Sequence, residues 1–135
     1  MEKIVIYWSG TGNTEAIANI ISADCGCDVK NVADISVIDA LDYDVIILGC
    51  PAMGVEELED VEFKPFYDEL ISNISSQKIF LFGSYDWGDG EWMRIWQKDV
   101  LAHNGNLGCD GLIVNGDVTA IDDNKYQAFI RKINS

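Results

Sequence analysis

Apolar residues fall along this chain in two kinds of pattern. Ile4 to Trp8, Val45 to Gly49 and Ile79 to Gly83 are nearly unbroken apolar runs, rich in β-branched and aromatic side chains. Runs this short and without polar alternation predict strands covered on both faces of a parallel sheet. Two weaker runs, Asp28 to Val32 and Leu112 to Asn115, predict two more strands. Between them apolar residues recur at helical spacing. Ile17, Ile20 and Ile21 form a stripe within the helix-like stretch Glu15 to Ser22. Phe63, Phe66, Tyr67, Leu70 and Ile71 form another, Trp92, Met93, Trp96 and Val100 a third, and Tyr126, Phe129, Ile130 and Ile133 a fourth. Each stripe predicts a helix with one buried face. A short helix is expected near Val37 to Leu41.

Strands alternating with helices over 135 residues imply one doubly wound α/β domain spanning 1–135. In such a fold a ligand lies at the carboxyl ends of the strands. Three loops are then expected at that edge: Ser9 to Thr14, Pro51 to Glu62, and Ser84 to Gly90. No internal repeat, low-complexity segment or linker interrupts the pattern. No apolar run approaches the roughly 18 residues of a membrane span.

The first loop, Ser9-Gly10-Thr11-Gly12-Asn13-Thr14, joins a strand to a helix N-terminus, where unpaired backbone N–H groups and the positive end of the helix dipole favour an anion. Its glycines let the backbone curl close, and its three hydroxyls and one amide complete a shell without adding charge. A terminal phosphate suits such a socket. The second loop carries an apolar Met53 followed by Gly54, and the third carries Tyr85 and Trp87 among turn residues. One loop aromatic alone is more often packing than ligand contact. Together with a phosphate socket, a polarizable Met and an aromatic at the same edge point to a flat ring bearing a phosphate.

Charge and cysteine content narrow the classes further. Twenty-three acids against nine Lys and Arg give a formal charge of −14, which repels nucleic acid and anionic membranes and favours basic protein partners. Cys25, Cys27, Cys50 and Cys109 lack the paired spacing of a zinc site, and reduced thiols are expected. Cys50 reads as packing at a strand end, Cys25 and Cys27 as turn residues, and His103 as a surface residue near a helix end. The chain enters its first strand by the third residue, so a soluble, cytoplasmic protein is expected. Neither G-x-G-x-x-G nor a P-loop motif occurs. A receiver domain would need acids where Trp8 and Ser9 stand, and a tyrosine phosphatase an Arg near Cys50.

The segments Y-W-S-G-T-G-N-T, G-C-P-A-M-G-V-E-E-L-E and F-G-S-Y-D-W-G-D-G-E-W-M-R, in that order over nearly the whole chain, resemble the short-chain flavodoxins of anaerobic bacteria. The resemblance implies a five-stranded sheet of order 2-1-3-4-5 and a low-potential FMN electron carrier, not an enzyme. Such a carrier passes single electrons between larger redox enzymes through the flavin semiquinone and hydroquinone. It implies FMN phosphate on Ser9, Gly10, Thr11, Gly12, Asn13 and Thr14, with Met53 on the inner ring face, Trp87 on the outer, and Ala52 also in the cofactor site. Glu56 would accept from the pyrimidine N3–H, the Gly54–Val55 peptide would face N5, and Ser84, Tyr85, Asp86, Trp87 and Gly88 would border the pyrimidine edge.

Glu56, Glu57, Glu59, Asp60 and Glu62 would surround the exposed flavin edge, lowering its potential and steering basic redox partners to a monomer. Pro51, Val55 and Asp86 depart from the family pattern. A type II turn centred on Gly54 and Val55 would demand positive φ of Val55, which a β-branched residue resists. The alternative readings are a flavodoxin-like NAD(P)H-dependent reductase or a flavoprotein that maintains ribonucleotide reductase.

Overall fold

A computed structural model describes residues 1–135. In chain order the elements are β1 (Lys3–Tyr7), α1 (Asn13–Cys25), β2 (Asp28–Asn31), α2 (Val37–Ala40), β3 (Val45–Gly49), α3 (Phe63–Ser72), β4 (Lys78–Tyr85), α4 (Glu91–Ala102), β5 (Asn106–Leu107), β6 (Leu112–Asn115) and α5 (Asp123–Asn134). The sheet runs β2-β1-β3-β4-β5, with β6 also on β4 and every pairing parallel. The expected order holds, but the fifth position is divided. β5 pairs with the start of β4 and β6 with its end, because Cys109 to Gly111 leave the ladder after the Gly108 N–H bond to the Ile79 carbonyl.

Successive side chains of a strand point to opposite faces, and this chain fills both. Ile4, Ile6, Ile46 and Leu48 face Phe63, Tyr67, Trp92 and Trp96 of α3 and α4. Val5, Tyr7, Val45, Ile47, Phe80 and Phe82 face Ile17, Ile21, Phe129 and Ile133 of α1 and α5. Two separate cores on one sheet explain why the central strands carry no polar alternation. Each helical stripe is the buried face of its helix, although Ile20 and Phe66 lie at the margins. No helix is long and apolar enough to cross a membrane.

β4 is longer than its apolar run suggests. Ser84 and Tyr85, expected in a loop, continue the strand and pair with Val114 and Asn115 of β6. This extension carries the strand end into the candidate site.

Candidate functional site

Parallel strands place the β1–α1, β3–α3 and β4–α4 connections at one sheet edge. The first turns on Gly12, whose φ of +100° suits glycine. The Gly12 N–H donates to Ser9 Oγ at 3.1 Å, and the Gly12 carbonyl accepts from the Ala16 N–H at 3.0 Å, starting α1. No acceptor in the chain meets the N–H groups of Thr11, Asn13, Thr14 or Glu15. Those of Asn13, Thr14 and Glu15 are the orphan donors of a helix start, and Gly10 and Thr11 are exposed beside them.

Thr14 has a structural contact as well. It is buried, with Oγ1 2.8 Å from Ser84 Oγ, tying the loop to β4. One hydroxyl hydrogen of the pair remains free to donate. Glu15 accepts from the Tyr7 hydroxyl at 2.7 Å, and burial together with this bond pushes the Tyr7 phenol upward, so Tyr7 stays a neutral donor.

After β3 the chain keeps step with β4 for two more bonds, Cys50 N–H to the Phe82 carbonyl and Ala52 N–H to the Ser84 carbonyl. Met53 and Glu57 then exchange backbone hydrogen bonds of 2.8 and 2.9 Å, closing a three-residue hairpin over Gly54, Val55 and Glu56. Its left-handed positions are Gly54 (φ 50°) and Glu56 (φ 57°), and Val55 is not one of them. The strain expected at Val55 is therefore absent from this conformation and falls on Glu56. Val55→Gly is expected to lower stability by about 0.5–1 kcal/mol through unfolded-state entropy, without relieving strain. Urea unfolding of the two forms checks this.

The Glu56 carboxylate turns toward α4. Its Oε1 accepts from the Glu91 N–H at 3.0 Å, where the helix dipole favours negative charge. Gly88 lies so close that a Cβ there would come within 2.7 Å of the Glu56 carboxyl carbon. Trp87, before that glycine, is 62% exposed. A groove of about 130 Å³ runs between Gly10, Thr11 and Asn13 on one side and Met53, Ser84 and Tyr85 on the other. A smaller cleft bordered by Gly54, Glu56, Asp86 and Trp87 adjoins it at Ala52 and Asp86.

One expected site residue belongs elsewhere. Glu59 is 6% exposed and accepts backbone N–H bonds from Val61, Glu62 and Phe63 at 2.8–2.9 Å. It closes the start of α3 instead of joining the surface acids. Glu57, Asp60 and Glu62 remain exposed. His103, at the end of α4, is exposed as expected.

Unpaired N–H donors at a helix start, with loop side chains beside them at the carboxyl edge of a parallel sheet, are features of mononucleotide-binding α/β folds. The family model for flavodoxin matches residues 5–129, and the chain belongs to that family of FMN-binding electron-transfer proteins. It is 52% identical over 99 residues to a flavodoxin of Megasphaera elsdenii, covering 70% of this chain and 72% of that one. A flavodoxin of Clostridium beijerinckii is 50% identical over the same length, with the same coverage. The solution structure of two-electron reduced Megasphaera elsdenii flavodoxin is similar with a TM-score of 0.80 at 41% identity, covering 96% of this chain and 95% of that one. Oxidised flavodoxin 2 from Bacillus cereus has a TM-score of 0.82 at 24% identity, covering 99% and 98%, a likeness of fold.

The residues present fit FMN. Four unmet N–H groups and a spare hydroxyl hydrogen suit a phosphate, and the exposed Trp87 offers a ring face. Larger cavities lie elsewhere, including one of about 500 Å³ between β6 and α5. None combines helix-start donors with loop aromatics.

Proposed function

We propose that this electron carrier holds FMN across the groove, with the phosphate on Ser9 to Thr14, Ala52 and Met53 on the inner ring face and Trp87 on the outer. The single observation that carries this reading is the set of unmet N–H groups of Thr11, Asn13, Thr14 and Glu15 beside the Met53 hairpin and Trp87 loop. Bound FMN supplies one-electron redox chemistry, and the chain's residues set where and how readily it occurs. The loop binds phosphate through backbone dipoles already fixed by Gly12 and Ser9, so little reorganisation is required. Glu56 is held by the Glu91 N–H and keeps a second carboxylate oxygen for the pyrimidine N3–H. The Gly54–Val55 peptide sits at the hairpin tip, where it would face N5, and the backbone from Ser84 to Gly88 would border the pyrimidine edge.

Titrating the apoprotein with FMN and with riboflavin tests this reading. One FMN per chain is expected, with riboflavin at least about 100-fold weaker, since charge-assisted hydrogen bonds contribute about 1.5–3 kcal/mol each. Equal affinity for the two would remove the phosphate assignment, and no binding of either would overturn the site.

Redox partners follow from electron carriage, and the exposed acids suit basic docking surfaces. Glu57, Asp60 and Glu62 steer such partners to a monomeric carrier and disfavour added negative charge on the flavin, holding its potential low. Electron transfer to a basic acceptor protein is expected to slow about tenfold or more as salt rises, because exposed charges are screened within about 8 Å at physiological ionic strength. Glu57→Gln combined with Asp60→Asn should reproduce part of that loss in stopped-flow measurements. Rates indifferent to both would show that the acids serve solubility.

A further inference from the structure

At the sheet edge opposite the candidate site, α1 ends at Cys25, Gly26 turns the chain and Cys27 leads into β2. Gly26 has φ 60° and ψ 43°, a left-handed helical conformation. A Cβ there would meet nothing within 4 Å, so the position calls for the conformation and not for space. That conformation has a geometric consequence. Two residues flanking a helical residue of either hand lie about 5.4 Å apart at Cα, from the rise and radius of the helix. In an extended chain they would be roughly 7 Å apart. A disulfide accepts Cα separations of roughly 4.4–6.8 Å, so the glycine turn brings the pair within bonding range.

The turn is also fixed. The Gly26 and Cys27 N–H groups both donate to the Ser22 carbonyl, the latter at 3.1 Å, and Ser22 Oγ donates back to the Cys27 carbonyl at 2.5 Å. The two thiols are half-buried. Both line an open cavity of about 320 Å³ that also contains Lys3. The neighbouring Cys25 thiol, and then the Lys3 charge, lower the Cys27 thiol against its burial, while the nearby Cys27 thiol and burial push Cys25 upward. Cys27 thus has the character of an attacking sulfur and Cys25 that of a resolving one. Cys50 lacks this character, since burial pushes it up to about 12.

We propose that the Cys25-Gly26-Cys27 turn is a thiol–disulfide exchange site that low-molecular-weight disulfides convert reversibly to an intramolecular disulfide. The Cys27 thiolate attacks one sulfur of R–S–S–R, the S–S bond breaks, and RS⁻ leaves with a mixed disulfide formed on Cys27. Cys25 then loses its proton and attacks Cys27 Sγ, expelling a second RS⁻. The two cysteine sulfurs surrender two electrons, R–S–S–R accepts them, and the two released protons convert both RS⁻ to RSH.

The test equilibrates the FMN-bound protein in buffers of stepped glutathione disulfide to glutathione ratio, quenches it with acid, alkylates the remaining thiols in denaturant and reads the product by intact mass and peptide mapping. The wild type should lose two alkylation sites together, at Cys25 and Cys27, with a mass lower by two hydrogens, while Cys50 and Cys109 remain alkylated. Excess reduced thiol should reverse the change. Cys25→Ser should accumulate a glutathione adduct on Cys27, and Cys27→Ser should react about tenfold more slowly than wild type. Retained flavin absorbance reports that each variant is folded. A wild type that gives only glutathione adducts, or does not react, overturns the proposal. So does Cys25→Ser with no adduct on Cys27, or Cys27→Ser reacting at the wild-type rate.

Discussion

Glu59→Ala is expected to destabilise the protein by about 2–3 kcal/mol, the size of losing a charge-assisted cap on a helix start. One buried carboxylate accepts three successive N–H groups, from Val61, Glu62 and Phe63. Val61 and Glu62 are exposed, so water can replace their bonds, but Phe63 is fully buried and its N–H would be stranded. The Glu59 backbone also donates to Cys50 Sγ and accepts from the Lys64 N–H, bonds that alanine keeps, so the loss is confined to the carboxylate cap. Thermal melting should fall by roughly 6–12 °C. Glu59→Gln should cost less, because its carbonyl oxygen can keep the two bonds made by Oε1.

The same cap makes stability depend on pH. Burial raises the Glu59 carboxyl, but the N–H groups of Phe63, Glu62 and Val61 outweigh it and the net shift is downward. A depressed folded-state value means that the stabilisation is complete above the ordinary carboxylate range and is lost as pH falls through the folded value. The stability gap between wild type and Glu59→Gln, measured by urea unfolding, should therefore narrow on acidification. A gap unchanged from neutral pH down to strong acid would show that the carboxylate charge contributes nothing there.

Glu59 also shows where sequence reading stops. Five acids between Glu56 and Glu62 look alike along the chain, and only the turn of residues 60–62 decides which one points inward. A signal was present, since an acid four residues before Phe63, where the apolar stripe of α3 begins, is placed to cap that helix. The strands and helices were legible because unbroken apolar runs and helical stripes report two-sided and one-sided burial directly. β5 was not, because two residues between Gly105 and Gly108 carry no periodicity. The turn from β1 into α1 at Ser9 to Thr14 was legible because its glycines and hydroxyls are a local signal. The Thr14–Ser84 contact joins residues 70 apart and depends on β4 outlasting its apolar run. The hairpin at Met53 was readable as a turn, but its left-handed positions were not. Glycine marks Gly54, whereas nothing in a glutamate announces the positive φ of Glu56.

Three tryptophans in similar sequence surroundings are expected to behave in opposite ways. Trp87 is 62% exposed, whereas Trp92 and Trp96 are each 2% exposed in the core between the sheet and α3 and α4. Trp87→Ala should leave the apoprotein's unfolding free energy within about 0.5 kcal/mol of wild type, as for exposed positions free of packing. Its effect should appear in the FMN dissociation constant. Covering one indole face removes roughly 80–100 Å² from water, about half of what a large aromatic buries, worth about 2 kcal/mol. Stacking adds about 0.5–1.5 kcal/mol. Together these predict a dissociation constant roughly 100-fold higher, measurable by quenching of flavin fluorescence. Trp92→Ala should instead cost about 3–5 kcal/mol of stability, since it opens a cavity and removes the indole N–H bond to the Cys50 carbonyl at 3.2 Å. Whatever FMN affinity it loses should track that unfolding. If Trp87→Ala binds FMN as wild type does, while Trp92→Ala stays folded and binds none, the ring lies against α4 and the loop assignment is wrong.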